Sequence, residues 1–289
     1  MAYPTFNRSQ AIIKNLNILF KNKIPPYIKI LVVDNHSTDN TYEKLKILKK
    51  KFNFQLVRNS INIGGVKNIV KLFEISKSDY LIISSDEDQF IIQNIIELVP
   101  FLREKKPDFL SGQILKNNTL ARGSSRIRRL KLNELGPSSY YMSGLVFNNK
   151  NIHSTINLLR PFLDRKGCDY PHTMILLCLG IKNNCWYYNK PLTKKNFQLK
   201  GYYDERNPFS LTGRMNQYLC FDEFINKLIK TKKLNINYYK KLLELHKKSF
   251  LFWIINGLLN EKKDLIKFKY LNPLGLSKFL LKCKFKKIL

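Results

Sequence analysis

A chain of 289 residues with 44% hydrophobic and 12% aromatic side chains can bury a substantial core. This excludes wholesale disorder and leaves room for one large domain or two smaller ones. The 51 Lys and Arg against 21 Asp and Glu give a net charge of +30, which narrows partners to polyanions such as nucleic acid, anionic lipid headgroups or phosphorylated substrates without specifying a chemistry. Part of that excess belongs to a composition crowded with Lys, Asn and Ile, the residues AT-rich coding favours, and is discounted.

The first hundred residues alternate short β-branched runs with longer stretches of helical apolar spacing, the pattern of parallel strands joined by crossover helices. Ile28 to Asp34, Phe54 to Asn59 and Asp79 to Ser84 read as strands; Ser9 to Lys21, Thr41 to Lys51 and Gly65 to Lys77 read as helices. Open sheets of this kind bind ligands beyond the carboxyl ends of their strands, which is where Asp34 and Asp86 fall.

Farther along, apolar spacing from Gln89 to Arg103 predicts another amphipathic helix, closed by Pro107. Asn117 to Arg129 is polar, basic and Gly/Ser-containing, the composition of a mobile loop. Its Arg122, Arg126, Arg128 and Arg129 either close over a diphosphate or form a solvated face. Tyr140 to Phe147 returns to strand character, Tyr170 to Leu179 to a buried helix, and Lys200 to Arg214 has the aromatic and Gly content of a lid. No internal repeat is present.

From Lys227 to Leu289 there are 17 Lys and three acids, Glu244, Glu261 and Asp264. Tyr239, Leu242, Leu243, Phe250, Trp253, Ile254 and Leu258 form a helical stripe. Between Gly275 and Leu289 the apolar residues lie on one side and lysines on the other. The expected organisation is therefore an α/β domain over residues 1–215 and a basic amphipathic helical region over 216–289, which either docks on an anionic membrane face or packs on the first domain. The longest apolar run, Phe250 to Leu259, is about half the ~20 residues needed to span a bilayer. The N-terminus lacks the basic and apolar segments of a secretory signal. The five cysteines form no C-x-x-C pair, so a reducing, cytoplasmic setting is expected, peripheral to the membrane if the C-terminus docks.

Three groups could carry chemistry. Asp86, Glu87 and Asp88 follow the apolar strand, and an Asp-x-Asp at a strand end offers hard oxygen ligands to Mg²⁺ or Mn²⁺; the same residues could equally cap the next helix. Asp34 to Asp39 (D-N-H-S-T-D) ends another strand, where Asp34 could accept a hydrogen bond from a nucleotide base while Ser37, Thr38 and Asp39 suit a capped turn. Asn62 to Asn68 (N-I-G-G-V-K-N) turns through Gly into a helix whose first amides could approach an anion.

Together with Pro4-Thr5-Phe6-Asn7-Arg8, these groups stand in an order that resembles the nucleotide-binding half of family 2 glycosyltransferases. The resemblance extends through Ser143-Gly144 before Val146-Phe147, Asp169 ahead of a helix, and I-K-N-N-C-W-Y-Y-N-K-P-L after Gly180, covering about residues 1–192. It implies a GT-A (Rossmann-like) fold, a mostly parallel sheet flanked by helices. It also implies an inverting, metal-dependent transfer of a sugar from a nucleotide sugar, UDP-linked by expectation, to a glycan or lipid-linked glycan acceptor in surface polysaccharide assembly.

Carried over residue by residue, Pro4, Thr5, Phe6 and Asn7 wall the nucleotide pocket, Asp34 meets the base, and Asn62 and Lys67 lie nearby. Asp86 faces the ribose or the metal, Asp88 holds the Mg²⁺ or Mn²⁺ on the diphosphate, and Asp169 is the candidate general base, with a helix N-cap as its structural alternative. Where the family commonly shows Glu-Asp, this chain has Cys168-Asp169. Only Met1, Ala2 and Tyr3 precede Pro4, so a short or truncated first strand is expected. A basic nucleic-acid-binding protein would explain the charge but not three carboxylates at one strand end, so no nucleic acid partner is expected. A non-catalytic family member is a further alternative.

Overall fold

The computed structural model describes residues 1–116, 119–122, 125–179, 184–195 and 211–230, together with 236–238, 240, 241 and 244. Its first half repeats strand and helix: β1 (Ala2–Thr5), α1 (Ser9–Phe20), β2 (Leu31–Asp34), α2 (Thr41–Lys51), β3 (Gln55–Arg58), α3 (Gly65–Ile75) and β4 (Tyr80–Ile83). The second half runs β5 (Gln89–Phe90), α4 (Ile92–Lys105), β6 (Phe109–Lys116), β7 (Thr119–Arg122), β8 (Arg128–Arg129), α5 (Leu132–Ser139), β9 (Leu145–Asn148), α6 (Ile152–Leu159), α7 (Pro171–Leu179), β10 (Cys185–Lys195) and α8 (Leu211–Lys230).

One sheet holds the strands in the order β3-β2-β1-β4-β9-β6-β10-β5, with β7 on β6 and β8 on β10. β3, β2, β1 and β4 are parallel, β9 is antiparallel between β4 and β6, and β10 is parallel to β6. Side chains of the central strands alternate between two cores. Ala2, Val33, Leu81, Ile83 and Phe147 join α3, α6, α7 and α8 on one face, while Tyr3, Val32, Ile82 and Val146 join α1, α2 and α4 on the other. Both faces are therefore covered, as a parallel sheet with crossover helices requires.

The topology reverses between β1 and β4: β2 and β3 are laid to one side of β1, and the chain then returns to place β4 on the other. A crevice at that switch point is where such a sheet binds ligands. Pro4 limits the pairing of β1 with β4. The carbonyls of Met1 and Thr5 accept from Leu31 and Asn35 on the β2 side, while that of Ala2 accepts from Ser84 on the β4 side. Alternate residues face alternate neighbours, so the N–H that Pro4 lacks would have pointed toward β4, where pairing stops at Ala2 and Ile83. The first strand is as long as β2, β3 and β4, four residues each, because Pro4 and Thr5 belong to it.

Several elements differ from expectation. The helix predicted over Gln89–Arg103 begins only at Ile92, because Gln89 and Phe90 pair with Lys194 and Thr193; it runs past Pro100 and closes at Lys106, whose φ of 45° is left-handed. The expected loop over 117–129 contains β7 and β8. β8 pairs with β10, Arg129 lies over the Trp186 ring of β10, and Arg128 ties the strand to α5 by two hydrogen bonds to Glu134 at 2.7 and 2.6 Å. Those two arginines are therefore structural rather than a mobile cover. In place of a strand from Tyr140, residues 140–144 form a turn and β9 begins at Leu145; α5 before it is masked in sequence by Gly136 and Pro137.

The expected lid at 200–214 lies outside the described residues up to 210, and Leu211–Arg214 already belong to α8. α8 crosses the expected boundary at 215/216, and its Cys220, Phe221, Phe224, Ile225 and Leu228 share the core with α6 and α7. Gly167, at φ +89°, lets it approach: a Cβ there would lie 2.1 Å from the Asn216 backbone. Cys168, Cys178, Cys185 and Cys220 are buried free thiols. The stripe from Phe250 onward, the 275–289 segment and Cys283 lie outside the described residues. Among those described, no helix is long and apolar enough to cross a membrane.

Candidate active site

At the switch point the ends of β1 and β4 stand side by side. At the end of β1, Thr5 is buried and donates its hydroxyl to Oδ2 of Asp86 at 2.7 Å. Asp86 sits in the turn after β4. Burial pushes its carboxyl up to about 7, with Glu87 and Asp88 adding to the rise while the Thr5 hydrogen bond and the Arg8 charge oppose it. Glu87 points outward to pair with Arg8 at the start of α1. Asn15 of α1, buried, donates to the carbonyls of Asp86 at 2.7 Å and Asp88 at 3.2 Å, so the acidic turn is bolted to that helix.

Asp88 is 4% exposed, and its Oδ2 accepts from two hydroxyls, Tyr141 and Ser143, each at 2.5 Å. The structure thus brings Thr5, Asp86 and Asp88 together. Pro4 lies half-buried within β1 and Phe6, half-buried, just beyond it. Asn7 is left-handed at φ 51° and serves as a brace: its Oδ1 accepts from the Thr38 amide at 2.8 Å and its own amide donates to Ser37 Oγ at 3.0 Å.

Asp34 closes β2 and is fully buried. Its Oδ1 accepts from Ser37 Oγ at 2.5 Å and its Oδ2 from the Ser37 amide at 3.1 Å, while Arg58 Nε lies 3.4 Å away. Both oxygens are thus engaged by the chain itself, so Asp34 shapes the turn that the expected base contact would use. Asn62 is likewise committed: its Oδ1 accepts from Asn35 at 2.7 Å and from the Gly64 amide at 2.9 Å. Asn35, Asn59 and Asn68 continue that network under the Gly turn. Gly64, at φ +82°, is the position where the turn needs glycine.

The third set is held by partners outside the acidic turn. Lys67 of α3 pairs with Asp164 at 2.5 Å, and Asp169, half-buried before α7, accepts from Gln217 of α8 at 2.8 Å. His172 in the first turn of α7 is buried, with Nε2 3.0 Å from the Ser139 carbonyl. Sequence reasoning missed Asn15, Arg58 and Tyr141. Asn15 carried a signal, a polar residue inside the buried stripe of Ile12, Leu16 and Leu19; Tyr141 carried none, because its partner is 53 positions away.

The profile described as Glycosyl transferase family 2 matches residues 2–167, more than half of the chain. Abequosyltransferase RfbV of Salmonella typhimurium (strain LT2) is 25% identical, with 68% of each chain covered. S. aureus TarS 1–349 in complex with UDP-GlcNAc has a TM-score of 0.69 at 16% identity, covering 96% of this chain and 79% of that one. The mannosyltransferase PcManGT from Pyrobaculum calidifontis, in complex with GDP-Man and Mn²⁺, has a TM-score of 0.55 at 14% identity, covering 99% and 86%. A longer S. aureus TarS structure is matched over 48% of its length, so the chain spans about half of it. With this sheet order, the acidic turn at its switch point and the matched profile, the chain belongs to glycosyl transferase family 2 and has the GT-A fold.

Proposed function

We propose that this glycosyltransferase moves a sugar from a UDP-sugar to a hydroxyl of a glycan or lipid-linked glycan acceptor in surface polysaccharide assembly, with inversion at the anomeric carbon. The observation that carries the reading is the pair of buried carboxylates, Asp86 and Asp88, gathered where β1 and β4 part. The names of the relatives support it: TarS is complexed with UDP-GlcNAc, and RfbV is an abequosyltransferase.

The acidic turn fits a hard divalent ion. It offers two carboxylates from one turn, and burial makes ionising Asp86 costly, a cost an adjacent Mg²⁺ or Mn²⁺ offsets. Among the described residues no group of three His, Cys, Asp or Glu could hold a metal, so in this reading the remaining ligands must be diphosphate oxygens and water. In this reading Asp88 and Asp86 hold the ion, and when bound it neutralises the departing diphosphate as a Lewis acid.

The chain's own residues do the rest. Pro4, Thr5, Phe6 and Asn7 wall the nucleotide, with the Asp34 turn, Asn62 and Lys67 shaping its base side. Asp169 takes the proton of the acceptor hydroxyl as that oxygen bonds to the anomeric carbon and the bond to the diphosphate oxygen breaks. Gln217 keeps Asp169 oriented by its hydrogen bond. A thermal-shift panel of UDP-, GDP- and dTDP-sugars with and without Mn²⁺ tests the reading. Stabilisation by UDP-sugars that needs Mn²⁺ and disappears in Asp88→Ala is the expected result; stabilisation by none of them overturns it.

A further inference from the structure

We infer that Cys168 and Cys220 form a thiol pair that peroxide closes to a disulfide, tethering the segment ahead of Asp169 to α8. The inference stands whatever role Asp169 plays, because it rests on two thiols that the proposed sugar transfer does not use.

Residues 165–169 are zipped onto one side of α8. Arg165 pairs with Glu223. Gly167 meets Asn216 so closely that only a residue without a Cβ fits there. Asp169 accepts from Gln217 at 2.8 Å. Between these contacts Cys168 and Cys220 share a hydrogen bond, and both are buried in the same core. Cys220 stands four positions after Asn216, three after Gln217 and three before Glu223, spacings that share one face of a helix. The register of the segment on α8, not a single side chain, therefore brings the two sulfurs together. Cys178 and Cys185, buried as they are, have no comparable thiol partner among the described residues.

The two sulfurs are chemically unequal. The hydrogen bond to Cys220, followed by burial, raises the Cys168 thiol above its usual range. The same hydrogen bond lowers Cys220 against the effect of burial, and the Arg165 charge lowers it further. Cys220 is thus the attacking thiolate. Its sulfur bonds to one peroxide oxygen, the O–O bond breaks, and the departing hydroxide takes up the proton that Cys220 released, leaving a sulfenic acid and one water. The Cys168 sulfur then attacks the Cys220 sulfur, and its proton leaves with the displaced hydroxide as a second water. Two S–H bonds are exchanged for one S–S bond while the peroxide is reduced to two waters. Local opening of α8 admits the oxidant. Met174, whose Sδ lies 3.6 Å from Cys168 Sγ, is the competing sulfur.

The full chain is treated with hydrogen peroxide under native conditions, quenched, denatured, alkylated and analysed by intact and peptide mass spectrometry. Wild type is expected to lose two hydrogens and two of its five thiols, to yield a peptide pair linked through Cys168 and Cys220, and to recover both thiols with dithiothreitol. Cys168→Ser removes the resolving thiol, so Cys220 should accumulate as the sulfinic acid. Cys220→Ser should leave Cys168 as the thiol, and Cys178→Ser should still form the link. Wild type that keeps all five thiols, links other cysteines, or gains oxygen at Met174 with Cys168 and Cys220 both reduced overturns the proposal. This readout is on the wild-type chain and holds even if a variant fails to fold.

Discussion

His172 shows how one buried side chain sets a pH dependence beside the site. Its Nε2 meets the Ser139 carbonyl, whereas Nδ1 has no hydrogen-bond partner among the described residues. Burial lowers its pKa from 6.5 to about 4, the Ser139 carbonyl opposing the fall. The folded protein thus binds fewer protons than the unfolded chain between those values. Stability from this residue is complete above pH 6.5 and is lost as pH falls toward 4, by about 3 kcal/mol at most. His172→Gln keeps a donor for Ser139 and removes the titration. Its denaturant midpoint should fall less than that of wild type between pH 6.5 and 4.5, and parallel pH curves for the two proteins would refute the assignment.

At the level of elements, α1 does more than cover the sheet. Its buried stripe of Ile12, Leu16 and Leu19 packs on the core, and Asn15, in the same stripe, spans two carbonyls of the acidic turn. Replacing Asn15 by Leu keeps the branched skeleton but leaves those carbonyls buried without that donor. The expected loss is about 2–3 kcal/mol of stability, together with weaker Mn²⁺-dependent UDP binding. Chemical denaturation checks the first and calorimetry the second; a loss of stability with donor binding intact would make Asn15 a packing residue only.

The same elements show what a sequence can and cannot reveal. α1, α2 and α3 and their strands were legible because each carries its own apolar period with a turn on either side. β5 and β8, two residues apiece, have no period to read and exist only because β10 runs beside them. The acidic turn was legible as three consecutive acids after an apolar strand, and Asp34 as an aspartate ending another. What Asp34 does with its oxygens was not, since Arg58 reaches it from β3 across the sheet. Tyr141 and Ser143 were hidden as partners of Asp88 for the same reason: the pairing is made by β4 and β9 lying side by side, which no local pattern encodes.

Charge is a property of the whole molecule, and it has two sources that can be told apart. In the described body, lysines and arginines collect where helices end: Lys49, Lys50 and Lys51 in α2, Arg103 and Lys105 in α4. The helix dipole favours cations at those positions, so they need no partner to explain them. The segment 270–289 is different, with five lysines, no acid, and Leu276, Phe279, Leu280 and Cys283 at helical spacing. If it docks on an anionic bilayer, each lysine near the surface contributes about 1 kcal/mol, so five are worth roughly a 10³- to 10⁴-fold change in partitioning. Its removal takes away only five of thirty net charges, so diffuse attraction of the whole body to the surface would survive it nearly intact. Co-sedimentation with phosphatidylglycerol vesicles should therefore collapse when residues 270–289 are deleted and weaken steeply with salt in the full chain. Co-sedimentation unchanged by the deletion would assign membrane attraction to the body and leave the segment no docking role.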